Sequence, residues 1–287
     1  MLSPDAPGCG CLFSGVARLQ TNRSRDLAIK LFYSSRVRAL LTNFWYSLVS
    51  GLDRNAEVTL MNYGYEYSEA GIFLDAESVE RYSLQLYHLV ATGISIKGKH
   101  VLEVGGGRGG GASYMARRLN PQKLVAVDLN RAAIRSARSR YAAQENLRFD
   151  VADAHDLPFA DNLFDAVVNI ESAQHYRNIH RFLSEVRRVL KPGGHLLIAY
   201  FEDPEKGVFP RQALAQSGLH KVREVDITAG VVRALDLDSS RRQRLAQKLA
   251  PAFLNRLAVE FAGVRGTELY ESFASGHCPY FYFIYRK

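Results

Sequence analysis

Residues 100–111, His-Val-Leu-Glu-Val-Gly-Gly-Gly-Arg-Gly-Gly-Gly, constrain this chain more tightly than any other stretch. An apolar, β-branched run (Val101, Leu102, Val104) stops at a burst of glycines, and residues 112–119 then place Tyr114, Met115 and Leu119 on one helical face. The spacing predicts a strand, a tight turn and a helix. Glycines let such a turn adopt φ > 0 and let another group approach the main chain closely. The helix start that follows offers unpaired N–H groups and the positive end of the helix dipole. At the carboxyl end of a parallel strand, a turn of this kind is where open α/β sheets bind nucleotide-like ligands.

Gly105, Gly107 and Gly110 fit the pattern G-x-G-x-x-G, which alone also fits dinucleotide sites. Glu103 separates the readings. A pyrophosphate in this turn would face a carboxylate at the strand tip, which is unfavourable. S-adenosylmethionine carries no phosphate; its sulfonium and ammonium are cations that a carboxylate stabilises. The alternative is a solvated Glu beside a purely structural turn. Two further acids stand where an adenosyl ligand needs them. Residues 124–128, Leu-Val-Ala-Val-Asp, read as a second strand ending at Asp128. That carboxylate could accept both ribose hydroxyls, each charge-assisted bond being worth about 1.5–3 kcal/mol. A third strand at 147–151 leads into Ala152-Asp153-Ala154, where Asp153 could accept from the adenine amino group. Leu129, Ala154 and Asn169 are counted with these acids as candidate cofactor contacts.

A fourth strand is expected at 163–170, followed by Glu171-Ser172-Ala173-Gln174-His175-Tyr176. Then come an amphipathic helix at 179–190, the turn Lys191-Pro192-Gly193-Gly194, and a fifth strand at 195–201. In this order the motifs Val-Leu-Glu-Val-Gly-Gly-Gly-Arg-Gly, Ala-Val-Asp128, Ala-Asp153-Ala, Leu-Pro-Phe…Asn-Leu-Phe-Asp-Ala-Val and Val-Leu-Lys-Pro-Gly-Gly resemble the class I S-adenosylmethionine-dependent methyltransferase family. The resemblance runs from Lys99 to about Phe201. It is nearest the small-molecule branch, which includes natural-product O-methyltransferases and the phthiotriolone-type lipid methyltransferases. Gly106 departs from relatives that carry Cys or another residue there. The resemblance implies an α/β fold: a Rossmann-like, doubly wound, seven-stranded sheet with its last strand antiparallel and with helical lid elements. It implies S-adenosyl-L-methionine as cofactor. It also implies that Tyr63 and Tyr65, in Met61-Asn62-Tyr63-Gly64-Tyr65-Glu66-Tyr67, are lid contacts, with Tyr63 beside the cofactor. Ordinary packing aromatics are the competing reading.

A hydroxyl acceptor benefits from a base, and a neutral imidazole suits that role near pH 7. The loop after the fourth strand carries His175, with His180 further on. Members of the resembling branch place a His just after the Glu-Ser that ends this strand, so His175 is the candidate catalytic residue. No Asn/Asp-Pro-Pro-Tyr/Phe motif follows the fourth strand, which argues against methylation of a nucleic-acid base. No paired acids suggest a divalent metal. The expected function is transfer of a methyl group to a small-molecule, polyketide or lipid hydroxyl. C- or N-methylation is the alternative within the class; an NAD-dependent oxidoreductase and a non-catalytic cofactor-binding protein are the alternatives outside it.

Residues 1–97 are expected to form an N-terminal tail and helical lid, and 98–287 the Rossmann-like domain, with a helical lid insertion around 230–270. Within the first part, 1–23 lack the pattern of an ordered element, 25–52 form an amphipathic helix suited to a lid, a partner or a membrane surface, and 76–91 form a helix. After 201, a helix at 212–217, a strand at 222–227 and an aromatic strand at 280–285 are expected. The net charge of +8, from 37 Lys and Arg against 29 Asp and Glu, permits an acidic carrier protein or an anionic surface as partner and requires neither. No basic, apolar leader of the secretory type opens the sequence. The three cysteines, Cys9, Cys11 and Cys278, form no disulfide framework, which fits a reducing, cytoplasmic setting.

Overall fold

The computed structural model describes residues 58–67, 78–204 and 210–287. All of them belong to one compact unit, Ser47–Lys287. The leader at 1–23, the amphipathic helix at 25–52, and Cys9 and Cys11 lie outside the described residues.

Seven strands form one sheet: β1 (His100–Val104), β2 (Lys123–Asp128), β3 (Leu147–Val151), β4 (Phe164–Ile170), β5 (Leu190–Phe201), β6 (His220–Asp226) and β7 (Tyr280–Arg286). Their order is β3-β2-β1-β4-β5-β7-β6. Strands β1 to β5 run parallel, and β7 runs antiparallel to both β5 and β6. The expected reversed last strand is therefore present. The strand order turns back between β1 and β4, which opens a crevice at the carboxyl edge of the sheet. Helices α1 (Arg81–Ala91), α2 (Gly110–Arg118), α3 (Arg131–Arg140), α4 (Ile179–Val189) and α5 (Pro210–Ala215) are followed by α6 (Thr228–Leu249), α7 (Asn255–Phe261) and α8 (Glu268–Ala274). The last three lie between β6 and β7, the place expected for the late lid.

Helices cover both faces, so the central strands read as apolar runs rather than alternations. Val101, Leu102 and Val104 of β1 are all buried, yet Val101 packs in one core with Met115 and Leu124 while Leu102 and Val104 pack in the other with Phe182 and Leu196. Asn130 caps α3 by accepting from the amides of Ala132 (3.0 Å) and Ala133 (3.1 Å), and Asn178 caps α4 by accepting from Arg181 (2.9 Å). The turn expected at 191–194 is absorbed into β5. Phe164 pairs with Leu190 and Ala166 with His195, so these residues form an irregularity in a longer strand, with Gly193 at φ +79°.

Residues 58–67 and α1, both within the stretch expected as tail and lid, pack in different places. Leu86, Val90 and Ala91 of α1 are fully buried in the same core as Val101 and Leu124, so α1 is part of the body of the sheet. Residues 58–67 instead run over the glycine turn. Helices α1 and α2 approach closely because Gly111 has no side chain; a Cβ there would overlap the ring of buried Tyr87. Gly111→Ala should therefore destabilise the fold by about 1–3 kcal/mol through overpacking, outweighing the roughly 1 kcal/mol that alanine gains over glycine in a helix. Urea denaturation measures this, and an unchanged midpoint would show that Tyr87 moves aside without cost.

Candidate functional site

The site grows from the turn after β1. Gly105, Gly107 and Gly109 have φ of +80°, +53° and +84°. At Gly105 space matters as much as conformation: a Cβ would collide with the Ser172 side chain and lie 3.0 Å from the Tyr176 hydroxyl. Those groups belong to a brace from the loop after β4. Asn169, fully buried, donates through Nδ2 to the Val104 carbonyl (2.9 Å), Ser172 Oγ (2.7 Å) and the Tyr176 hydroxyl (3.1 Å). Asn169 thus supports the turn from behind. Burial pushes the Tyr176 hydroxyl above its ordinary pKa.

Asp128 ends β2 beside this turn. Its Oδ2 accepts from the Gly107 amide (2.9 Å) and its Oδ1 from the Asn130 amide (2.8 Å). Burial raises its pKa, and these backbone amides oppose the rise. Leu129 follows, largely exposed, and Ala154 is buried. Asp153 Oδ1 accepts from the His155 amide (2.9 Å) and pairs with His155 Nδ1 (2.6 Å). The amide bond is the leading reason that its pKa is lowered.

Glu103 is 1% exposed, the extreme among the site acids. Its Oε1 accepts from the Tyr87 hydroxyl at 2.8 Å. Its Oε2 is buried with no hydrogen-bond donor, and a Cβ on Gly106 would lie 3.2 Å from it. Burial raises the pKa to about 7, Asp128 adds to the rise, and the Tyr87 hydrogen bond opposes it. An orphaned carboxylate oxygen is costly unless something donates to it or brings positive charge. An ammonium-bearing ligand fits that need, and a phosphate does not.

The segment 58–67 closes over the turn. The Thr59 carbonyl accepts from the Gly110 amide (3.3 Å), and the Met61 Cε would be 3.8 Å from a Cβ on Gly107. The Thr59 and Leu60 amides donate to Glu80 Oε1 at 2.9 and 3.0 Å. Further along, the Tyr63 amide (2.7 Å) and the Tyr280 hydroxyl (2.8 Å) both donate to Glu171 Oε1. Glu171 follows β4 directly, is buried, and has φ +52°, a left-handed conformation that a non-glycine residue holds only when its surroundings impose it. Burial raises its pKa to about 7 against the opposing effects of the Tyr63 amide, the Tyr280 hydroxyl and Arg242. Arg242 on α6 donates to the Asn62 carbonyl (2.9 Å), Asp238 Oδ2 (3.0 Å) and the Ala262 carbonyl (3.1 Å), which ties the early lid segment to the late one.

Tyr63 joins an aromatic cluster with Phe201 (5.9 Å between ring centroids) and Phe273 (5.2 Å); Phe273 also contacts Phe201 (5.2 Å) and Tyr280 (6.3 Å). Tyr65 packs elsewhere, against Tyr67, and its ring fills the space that a Cβ on Gly230 would need. His175 ends the one-turn helix Ala173–His175, half-buried, with its amide donating to the Ser172 carbonyl at 3.0 Å. His180 is exposed in the first turn of α4. Tyr87, Glu171, Arg242 and Tyr280 escape a reading of the sequence, because each is recruited by a partner distant along the chain.

The two buried glutamates have a measurable consequence. Each has a folded pKa raised from 4.5 to about 7, so its favourable contribution is complete below about 4.5 and is lost as pH rises through about 7. His88 and His195, lowered from 6.5 by burial, act oppositely at the acid end of that window. The comparison with Glu103→Gln isolates one term. Without added ligand, the stability of that variant relative to the parent chain should improve as pH rises from about 5 to about 8. Urea unfolding at several pH values checks this; a difference independent of pH would mean that Glu103 is not held protonated.

Residues 102–198 match the family model described as a methyltransferase domain. The chain is 36% identical over 247 residues to the phthiotriol/phenolphthiotriol dimycocerosates methyltransferase of Mycobacterium leprae, covering 85% of this chain and 91% of the relative. It is 40% identical over 205 residues to the fatty-acid O-methyltransferase of Mycolicibacterium smegmatis, covering 70% of this chain and 74% of the relative. Among solved structures, the [4+2]-cyclase SpnF superposes with a TM-score of 0.65 at 22% identity, over 85% of this chain and 93% of that one. The geranyl diphosphate C-methyltransferase of Streptomyces coelicolor A3(2) gives a TM-score of 0.60 at 18% identity, over 84% and 98%. At these identities the solved structures establish the fold alone. The curated relatives, matched over most of their length, go further and set aside the dinucleotide reading: the chain belongs to the class I S-adenosylmethionine-dependent methyltransferases, in their small-molecule and lipid branch, and S-adenosylmethionine is its cofactor.

Proposed function

We propose that this methyltransferase acts on a hydroxyl of a lipid-like or other largely apolar small molecule, with His175 as the general base. The observation that carries the reading is the aromatic cluster of Tyr63, Phe201, Phe273 and Tyr280, contributed by the early lid, the end of β5, α8 and the start of β7. This buried apolar cluster sits at the carboxyl edge of the sheet, where it would favour an acceptor that brings little charge. Two relatives, a phthiotriol/phenolphthiotriol dimycocerosates methyltransferase and a fatty-acid O-methyltransferase, favour the same class of acceptor.

Asp128 and the glycine turn would hold the adenosyl part of the cofactor, Asp153 its adenine, and the free oxygen of Glu103 would face its cationic end. Bound there, S-adenosylmethionine supplies a methyl group already activated on a sulfonium. The protein's remaining work is to position the acceptor, exclude water and remove a proton. The 58–67 segment and α6 do the first two by closing over the crevice. The His175 imidazole takes the hydroxyl proton as the acceptor oxygen forms its bond to the methyl carbon and becomes an ether oxygen, while the methyl–sulfur bond breaks and the thioether product leaves.

Two substitutions separate these roles. Asp128→Ala should weaken S-adenosylmethionine binding about ten- to a hundred-fold, the cost of losing charge-assisted hydrogen bonds; calorimetry measures it, and unchanged affinity in a folded variant would remove the ribose assignment. His175→Ala should leave that affinity intact and slow single-turnover methyl transfer to a long-chain alcohol by about 10²–10⁴-fold. If His180→Ala carries the loss instead, the base lies one helical turn further on. If neither slows it, no histidine of this loop is the base and positioning alone suffices; if the parent chain transfers no methyl group to any alcohol, the oxygen reading fails.

A further inference from the structure

The late lid carries a surface that the active site does not use. Between 239 and 259 the sequence contains Arg241, Arg242, Arg244, Lys248 and Arg256 and no Asp or Glu. Arg242 is buried, and Arg241 pairs with Asp238 at 2.5 Å. Arg244, Lys248 and Arg256 are exposed. Positions 237, 241, 244 and 248 follow the helical repeat, so they share the outer stripe of α6. That stripe begins with Leu237, 62% exposed, and just beyond its end Phe253, in the one-turn helix Ala252–Leu254, is 85% exposed.

A single exposed apolar side chain needs no explanation. Here an exposed leucine begins a stripe whose exposed charges have one sign, and an exposed phenylalanine follows five residues after its last cation. Nucleic acid would answer the arginines and leave Leu237 and Phe253 without a partner. An anionic bilayer answers both: its phosphates attract the cations, and its acyl boundary takes up the apolar side chains. We infer that the outer face of α6 and the adjoining turn at 251–256 dock on an anionic lipid surface. Phe253 enters the headgroup–acyl boundary there, and Arg244, Lys248 and Arg256 lie against lipid phosphates. The purpose of such docking rests on the lipid-like acceptor proposed above: α6 also supplies Arg242, which holds the early lid segment, so the docked face would set the lid beside the source of an apolar acceptor.

The test uses the full chain and vesicles that contain no acceptor, so it reads docking alone. Vesicles of phosphatidylcholine with about one-third phosphatidylglycerol should co-sediment the protein, and pure phosphatidylcholine vesicles should do so far less. Arg244→Gln and Lys248→Gln should each weaken binding about five-fold, and added salt should weaken it further. Phe253→Ser should weaken it as well, with the far-ultraviolet circular dichroism unchanged in all three variants. Trp45 is the chain's single tryptophan. In a Trp45→Phe background, Phe253→Trp should therefore report a blue-shifted emission on anionic vesicles only. No co-sedimentation, or binding that survives all three substitutions, overturns the inference, as does capture of a single-stranded RNA without any binding to vesicles. Docking by an enzyme that methylates only amines or carbons would overturn the proposed acceptor and leave the docking surface standing.

Discussion

One buried carboxylate organises the centre of this molecule. Glu103 sits at the tip of β1 beneath the glycine turn, and nearby structure is arranged around it. Tyr87 reaches from α1 to donate to one of its oxygens. To do so the tyrosine ring must occupy the space beside α2, and that space exists because residue 111 is glycine. The acid at 103, the aromatic at 87 and the glycine at 111 therefore form one constraint expressed at three places in the chain. The second oxygen is left without a donor. A fold that retains such a group in its core accepts a cost that a cationic ligand can offset.

Glu171 repeats the theme on the neighbouring strand. It too is buried, and its main chain is held in a left-handed conformation. Its compensation comes from three distant places: the Tyr63 amide from the early segment, the Tyr280 hydroxyl from β7, and the nearby charge of Arg242 from α6. Arg242 in turn binds the carbonyls of Asn62 and Ala262. Residues 62 and 63 therefore serve both groups at once: the Tyr63 amide answers Glu171 while the Asn62 carbonyl answers Arg242.

The sequence shows the fold clearly where the signal is local. The β1 turn, the strand ends at Asp128 and Val151, and the helix after Asn178 follow from periodicity, glycine and capping chemistry that each operate within a few residues. The turn at 191–194 was legible as a turn but not as an irregularity inside β5, because that depends on the register against Phe164 and Ala166. The division of the N-terminal part was hidden for a similar reason. The periodicity of α1 says that it is amphipathic; only the core it enters says that it belongs to the body. Within the site, Glu103 and Asp128 stood out because their spacing from the glycines carries meaning. Arg242 did not, since one arginine in a basic run looks like its neighbours until Asn62 and Ala262 are brought beside it. Asn169 stands out as a candidate cofactor contact, and the structure adds what the sequence does not show, that its amide also bonds the Val104 carbonyl and the Tyr176 hydroxyl.

The same contrast explains why the fold alone is a poor guide to the acceptor. The solved structures that share this sheet include a cyclase as well as methyltransferases, so the sheet alone does not say what is done on it. The aromatic cluster is assembled from four segments: Tyr63 before the sheet begins, Phe201 at the end of β5, Phe273 on α8 and Tyr280 on β7. Phe201 and Tyr280 are paired strand residues, fixed by the register of β5 against β7. Tyr63 is held instead by the bond of its own amide to Glu171 and by that of the Asn62 carbonyl to Arg242, while Phe273 comes from α8. Half of the cluster is therefore fixed by strand pairing and half by contacts made outside the sheet. Replacing Tyr63 or Phe273 leaves the paired strands untouched, whereas replacing Tyr280 changes a paired strand residue and removes the hydroxyl that donates to Glu171.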